Sequence, residues 1–265
     1  MFRQRFRAMA ADMAKSLRLR QLVWEMAKND IFAGVHLTML GPIWLVVQPL
    51  LWMLTIVLLV QPSLPNKAFN YPLYVAIGII FYSGIQTFMT GGTQVFVREK
   101  SRILNVALPL SVFALKNSAR VLLELLITSP IILVTMIFFR PEFGPAMLLA
   151  LPGVMIYFVF GFGVTLALGT IASRYTDVVY LTMAIMRVML FMTPVFWLPE
   201  QTRGARHWFA HYNPLYHILT VVREPLMGKT PEMVHYIIAS LTALAALSAG
   251  LLLFTRFRSR IPLWI

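Results

Sequence analysis

IWLVVQPLLWMLTIVLLV, residues 43–60, decides the architecture of this chain, because eighteen consecutive positions carry no Asp, Glu, Lys or Arg. As a helix rising about 1.5 Å per residue, such a run covers about 27 Å, close to the hydrocarbon thickness of a bilayer. As a lone strand it would leave its backbone N–H and C=O groups unpaired in lipid, so the run implies a helix. Five further stretches of the same character follow, at residues 71–97, 121–139, 146–173, 178–198 and 234–255. Composition agrees, with 59% apolar and only 12% charged residues against about 25% charged in soluble domains. The second and fourth stretches exceed what a crossing requires and are expected to tilt or break. Gly78, Gly84, Gly91 and Gly92 in one, and Gly153, Gly161, Gly163 and Gly169 in the other, permit close helix contact.

Basic residues set the expected orientation. Six crossings put both termini on one side, and sixteen of the 23 Lys and Arg residues flank the spans there. By the positive-inside rule that side is cytoplasmic. The net charge of +13 is spread beside the spans rather than gathered on one folded basic face, which favours anionic lipid head groups over nucleic acid as partners. No short apolar region followed by a small-residue cleavage site opens the sequence, so no removable signal peptide is expected. The absence of cysteine excludes disulfides, thiolate metal sites and thiol nucleophiles together.

Three segments outside the spans carry information. Trp24, Ala27, Ile31 and Val35 recur at helical spacing, while Glu25, Lys28 and Asn29 face elsewhere, which predicts an amphipathic helix at the membrane interface. It serves either as a surface anchor or as a contact for a cytoplasmic partner. Residues 98–120 form a connection far longer than the roughly 2 to 8 residues a turn needs. Ser101 is placed to cap a short helix through Ile103, Leu104 and Val106 that Pro109 ends or bends. Those apolar side chains need a surface, either this chain's own helices or a soluble subunit. On the outer side, residues 199–233 are too polar to span. Asn213 followed by Pro214 starts a helix, with Leu215, Leu219 and Val222 on one face until Arg223, Glu224 and Pro225 stop it. About two turns cannot cross a bilayer, so a re-entrant helix packed among the spans is expected, with a helix resting on the outer surface as the alternative.

Taken in order, these pieces resemble the membrane subunit of bacterial ATP-binding-cassette exporters of the ABC-2 type, in the branch exporting lipid-linked polysaccharides. The resemblance starts in WEMAKNDIFAGVHLTMLGPIWLVVQP with Asp30, Leu40, Gly41, Trp44 and Pro49. It continues through NVALPLSVFALKNSARVLLE around Pro109, SRYTDV with Arg174 and Asp177, MTPVFW with Pro194, and YNPLYHILTVVREPLMG with Asn213, Pro214 and Arg223. It implies an all-α integral membrane protein of six transmembrane helices. An N-terminal interface helix (residues 1–42), a cytoplasmic coupling helix between spans two and three (98–120), a re-entrant periplasmic segment before span six (199–233) and a cytoplasmic tail (256–265) complete it around a transmembrane domain of residues 43–255. It further implies a homodimer with two copies of a cytoplasmic ABC ATPase in the bacterial inner membrane, moving lipid-linked glycan such as O-antigen. ATP and Mg would belong to the ATPase, and no cofactor to this chain. Trp24, Asp30, Ser101, Ile103, Leu104, Val106 and Pro109 are then the expected ATPase-coupling residues.

No phosphate-binding loop is present; REPLMGKT imitates the end of one, but Arg223 stands where the first glycine belongs. Arg187, ten residues into the fifth span, costs about 3 kcal/mol near mid-membrane and should face protein or water. It either contacts glycan hydroxyls or a lipid phosphate in a channel, or pairs with backbone carbonyls or a carboxylate. Glu124 is expected to pair with Arg120 one turn away. Phe81, Tyr82, Phe88, Phe191, Phe196 and Tyr212 are candidate faces over which sugar rings could slide, whereas Trp44, Trp52, Trp197 and Trp208 suit interfacial anchoring. His207, His211 and His217 have no acidic neighbours beyond Glu200 and Glu224 to suggest a metal site, and no acid and base pair suggests hydrolysis. An exporter of a small lipid or drug, and a membrane-embedded glycosyl- or acyltransferase, are the competing classes.

Overall fold

The computed structural model describes residues 2–34, 38–63, 70–141, 144–199 and 204–265, and it contains helices without strands among them. In chain order these are α1 (Phe2–Arg18), α2 (Arg20–Ala33), α3 (Trp44–Val60), α4 (Tyr71–Gln86), α5 (Gly92–Gln94), α6 (Lys100–Asn105), α7 (Ser111–Phe139), α8 (Ala150–Ala172), α9 (Asp177–Met192), α10 (Ala205–Tyr212), α11 (Pro214–Leu226), α12 (Met233–Phe257) and α13 (Ile261–Trp264). Five helical stretches are long and apolar enough to cross a membrane: Gly41–Val60, Tyr71–Gln94, Ser111–Phe139, Pro145–Ala172 and Met233–Trp264. The chain is an all-helical membrane bundle.

The fifth expected span differs. α9 has 16 residues and stops at Met192, where Thr193 takes an extended backbone (φ −90°, ψ 135°). The following Pro194 forces this, because its ring clashes with a helical residue before it. α9 nevertheless runs from one end of the bundle to the other. It begins just after the end of α8, which packs so closely on α5 that a Cβ at Gly169 would meet Val95 at 2.7 Å. Beyond its far end, the Pro194 carbonyl accepts from Tyr74 Oη at 3.0 Å, in the first turns of α4.

Glycines let the helices meet backbone to backbone. α8 and α12 touch where a Cβ at Gly163 would lie 2.4 Å from the Leu247 nitrogen, and one at Gly250 would lie 2.3 Å from the Gly163 carbonyl oxygen. Two apolar clusters result. The larger holds Tyr71, Ile77, Ile85, Phe88, Tyr157, Leu219 and Val222; the second gathers Met9, Val23, Met26, Phe96, Phe113, Phe254 and Ile261 at the end where the termini lie.

That second end is knitted by polar groups. Asp12 of α1 accepts hydrogen bonds from the Leu110 and Ser111 backbone nitrogens at 3.2 and 3.0 Å, capping α7 from a distant part of the chain. Its other contact is Arg258, with Nε at 3.0 Å, and Arg258 Nη1 donates to the Ala8 carbonyl at 2.8 Å. Both termini therefore share one end.

The interface helix sits differently from its amphipathic pattern alone. In α2, Val23, Met26, Ala27 and Ile31 are buried against α7, so the apolar stripe covers protein rather than lipid; Trp24 is half-buried, and Val35 and His36 lie outside the described residues. The coupling segment is also shorter than expected. α7 starts at Ser111, ten residues ahead of the predicted span, because Asp12 supplies the cap that the local sequence lacks. Ser101 is not a cap: α6 follows Glu99, and the Ser101 hydroxyl accepts from Asn105 Nδ2 at 3.3 Å. α6 ends at Asn105, four residues before Pro109, which is buried.

The second span is broken, as its length foretold. Five residues, Thr87–Gly91, form a π turn between α4 and α5. At the end of the bundle away from the termini, α11 is buried along most of its length, from Leu215 to Arg223, and packs among α8, α12 and α4. Asn213 caps it, accepting from the Leu215 nitrogen at 3.0 Å. Arg223 does not stop this helix, which continues through Pro225 to Leu226. Residues 200–203, with Glu200 and Arg203, and Lys67 lie outside the described residues, as do the side chains of Arg3, Arg206 and His207.

Candidate functional site

The π turn has a chemical consequence. Its wider coil turns Thr87, Thr90 and Gly91 toward a cavity of about 280 Å³ that is also lined by Gln86, Gln94, Arg98, Arg120, Met183 and Arg187. Loosened backbone carbonyls are taken up by neighbours: Thr165 Oγ1 donates to the Phe88 oxygen at 3.2 Å, and Asn117 Nδ2 donates to Thr165 Oγ1 at 3.0 Å. Arg98 comes from the link before α6, Arg120 from α7 and Arg187 from α9.

Gln86 also lines a second, larger cleft of about 700 Å³. α3 supplies Gln48, Pro49 and Trp52, α4 supplies Tyr82 and Ser83, α7 supplies Glu124 and Thr128, and Phe196 comes from beyond α9. Glu124 sits at the join. Arg120 Nε reaches its Oε1 at 2.8 Å and Thr87 Oγ1 donates to its Oε2 at 3.0 Å, so the expected turn-to-turn pair forms and offsets Arg120. Arg98 and Arg187 have no side-chain partner among the described residues, leaving the smaller cavity cationic.

The aromatic candidates divide. Tyr82 and Phe196 line the cleft, with Tyr82 Oη held by the Met186 carbonyl at 2.7 Å. Phe81 and Phe88 do not face it. Both are buried against Tyr157, with ring centroids 5.4 Å apart in each case, because Gly161 opens a slot that Phe88 fills. Phe191 is 67% exposed and meets Phe196 edge to face. Tyr212 is 76% exposed and stacks on Trp208. Trp197 is no interfacial anchor: it is buried, and its Nε1 donates to the Phe191 carbonyl at 3.1 Å.

At the end holding the termini, α6 presents Leu104 (53% exposed), and Val106 (50%) just beyond it is exposed as well. Ser101 is exposed beside them; Ile103 is half-buried and rests on the core. Pro109 is buried within the chain, so Ser101, Leu104 and Val106 make the exposed surface of this segment. Asp30 points inward. Its Oδ2 lies 2.5 Å from Lys116 Nζ, which also meets Glu99 Oε1 at 2.5 Å, and Glu99 Oε2 is 2.7 Å from Arg102 Nη1. This chain of charges ties α2, α6 and α7 together around a buried lysine. The sequence pattern does not single out Glu99, Arg102 or Asp12, and the one local signal for Lys116 is a charge on the face of α7 that becomes buried once the helix starts at Ser111.

The remaining motif residues brace the ends. Arg223 is buried, donates from Nη1 to the Pro194 carbonyl at 2.6 Å and lies 3.8 Å over the Tyr74 ring. Asn213 Nδ2 donates to Thr193 Oγ1 at 2.8 Å, so both residues fasten α11 to the bend after α9. Pro214 fills the first helical position there. Gly41 has φ +52°, a left-handed turn that feeds Trp44 into α3; Pro49 lies inside α3. Arg174 packs over Tyr175 and Trp264, and Asp177 opens α9. His217 bonds to His235, Nδ1 to Nδ1 at 2.8 Å, and to the His211 carbonyl through Nε2 at 2.8 Å.

A helical bundle of membrane-crossing length, with a cleft that sets polar side chains among apolar ones and a segment exposing Leu104 and Val106 at one end, has the features of a transporter membrane subunit. Residues 21–227 match the ABC-2 type transporter family, and the chain belongs to that family. Membership implies ATP-driven transport with an ABC ATPase as partner. Two proteins of Klebsiella pneumoniae, both described as O-antigen export system permease protein RfbA, are 22% and 21% identical to it over 244 residues, which cover 91% of this chain and 94% of each relative.

Proposed function

We propose that this chain is the non-catalytic permease subunit of an exporter of lipid-linked polysaccharide, with O-antigen as the leading cargo class. The observation that carries the reading is the cleft of about 700 Å³, where Trp52, Tyr82 and Phe196 offer flat faces beside Gln48, Ser83, Glu124 and Thr128. Polar side chains at that depth need water or a hydroxyl-rich cargo. Aromatic faces suit sugar rings that must slide. Beside the cleft, α3 exposes Leu51, Trp52, Leu54, Leu58 and Leu59, which fits a second copy of this chain closing the conduit. Two ATPases, carrying ATP and Mg, would complete the assembly at the inner membrane.

In this reading α9 and residues 193–197 make the fifth crossing, which brings the total to six. An even number of passes returns α12 to the end where Arg258 meets Asp12, and the basic flanks put that end in the cytoplasm. α6 receives the ATPase there. Leu104→Glu together with Val106→Glu should leave the complex assembled but lower export at least about tenfold per ATP hydrolysed, since two buried apolar contacts at an interface are replaced by charge. Unchanged coupling in reconstituted vesicles would return α6 to a packing role.

The cargo test is deletion and complementation in the native host. Loss of surface polysaccharide with accumulation of its lipid-linked form inside supports the assignment; unchanged surface glycan with lost efflux of a small amphiphile assigns the chain to drug or lipid export.

A further inference from the structure

We infer that the elbow between α1 and α2, where both helices meet α7, is a binding site for an anionic phospholipid, with the phosphate on Lys15, Arg18 and Arg20 and the start of an acyl chain in the groove beneath them. Such a site goes beyond the export reading and takes from it only the cytoplasmic placement of the termini.

Charge comes first. From Met13 to Trp24 the chain carries Lys15, Arg18 and Arg20 and no Asp or Glu, and all three cations are exposed. The acidic residues on either side are engaged elsewhere. Asp12 is buried and held by Arg258 and by the start of α7, and Glu25 pairs with Lys28 at 2.6 Å. No ion pair reaches the three cations among the described residues. Cations clustered on a helix beside a membrane attract anionic head groups, and two of these three are guanidiniums, whose paired N–H donors match phosphate oxygens.

The groove says which anion. Leu17, Val23 and Trp24 on one side and Leu115 and Ala119 of α7 on the other enclose about 210 Å³, with Arg20 also lining the space. A free phosphate or an acidic protein surface has no use for that apolar floor, whereas a phospholipid joins a phosphate to an acyl chain. Leu17, 63% exposed, is a side chain that a lipid tail would cover. Depth agrees: at about 1.5 Å per residue, Leu115 and Ala119 stand within about 9 Å of the apolar stretch that begins at Val121, which is head-group level. The half-buried Trp24 ring suits the same level. The shape is set in advance, because Ser16 Oγ lies 2.6 Å from Ser111 Oγ and the Leu19 nitrogen donates to the Ser16 carbonyl at 3.1 Å, pinning the elbow to the start of α7.

The experiment uses the full chain with its ATPase in nanodiscs of phosphatidylcholine and phosphatidylglycerol, with no glycan added. One lipid at a time carries bromine at the start of its acyl chain, and quenching of Trp24 is read as the fluorescence difference from Trp24→Phe. Brominated phosphatidylglycerol should quench Trp24 in preference to brominated phosphatidylcholine. Arg20→Gln should lower that preference about fivefold, the scale of one cation at an anionic membrane surface. Arg5→Gln removes the same charge about 15 Å along α1 from Lys15, beyond the screening length, and should leave the preference unchanged. Glycerol phosphate, which has the anion without the chains, should not displace the lipid. Equal quenching by the two lipids, equal losses in Arg20→Gln and Arg5→Gln, or displacement by glycerol phosphate overturns the site. Loss of ATPase binding in Arg20→Gln with an unaltered lipid preference also overturns it and gives the cations to the ATPase. Because both leaflets carry the same lipid and no cargo is present, failure here leaves the export reading standing, and a complex that exports no glycan in cells leaves the lipid site standing.

Discussion

Lys116→Met should uncouple the transporter and destabilise it by about 3 kcal/mol, the low end for removing one partner from a buried ion pair. Lys116 lies between Asp30 and Glu99, 2.5 Å from each, and both it and Glu99 are buried. Methionine matches its length and removes its charge. Glu99 is then left with Arg102 alone, while Asp30, more open to solvent, loses its ion-pair partner among the described residues and loosens α2 from α7. Since Glu99 beside α6 and Asp30 of α2 are joined to each other through Lys116, a push on α6 should reach α2 more weakly without it. The measurement pairs a melting curve with ATP hydrolysed per glycan exported. Lys116→Arg keeps the charge and should recover most of the coupling. A Lys116→Met complex with wild-type melting and wild-type stoichiometry would remove the network from any account of coupling.

How legible this was in the sequence varies by element. Runs without charge, such as residues 43–60, announce their helices because lipid leaves the backbone no other partner. The break in the second span was foreshadowed by excess length, though its form, a π turn at Thr87–Gly91, depends on support from Asn117 and Thr165, 30 and more residues away. Asn213 and Pro214 specify the start of α11 locally, and the structure places both there. The start of α7 was invisible, since its cap is Asp12, 98 residues before Leu110. Phe81 and Phe88 were misplaced for a related reason. An aromatic residue in a span reads the same whether it faces a cleft or a glycine on another helix, and Gly161 decides the matter for Phe88. Arg187 was picked out by its cost, and the cavity it enters is assembled from the broken second span, the link before α6, α7 and α9.

Gly163→Ala is expected to have an effect out of proportion to a single methyl group. The added Cβ would sit 2.4 Å from the Leu247 nitrogen, 2.5 Å from its Cα and 2.6 Å from the Ala246 carbonyl carbon. All three are backbone atoms of α12, so no rotamer change relieves the clash and the helices must separate by about an ångström. In a bilayer, helix association rests on van der Waals fit rather than on expulsion of water, so small residues at a crossing carry an unusual share of it. Overpacking costs about 1–3 kcal/mol in soluble cores; with backbone on the far side, roughly the upper end applies here. Gly163→Leu should prevent accumulation of folded protein. Gly144→Ala is the matched control, because its Cβ meets nothing within 4 Å among the described residues. Displacing α12 also drags Arg258 away from Asp12, whose oxygens cap α7, so the Gly163→Ala complex should lose ATP-coupled export as well as thermal stability. Melting of Gly163→Ala at the temperature of Gly144→Ala, with export intact, would show that α8 and α12 are free to part and that the end of the bundle holding the termini does not depend on their contact.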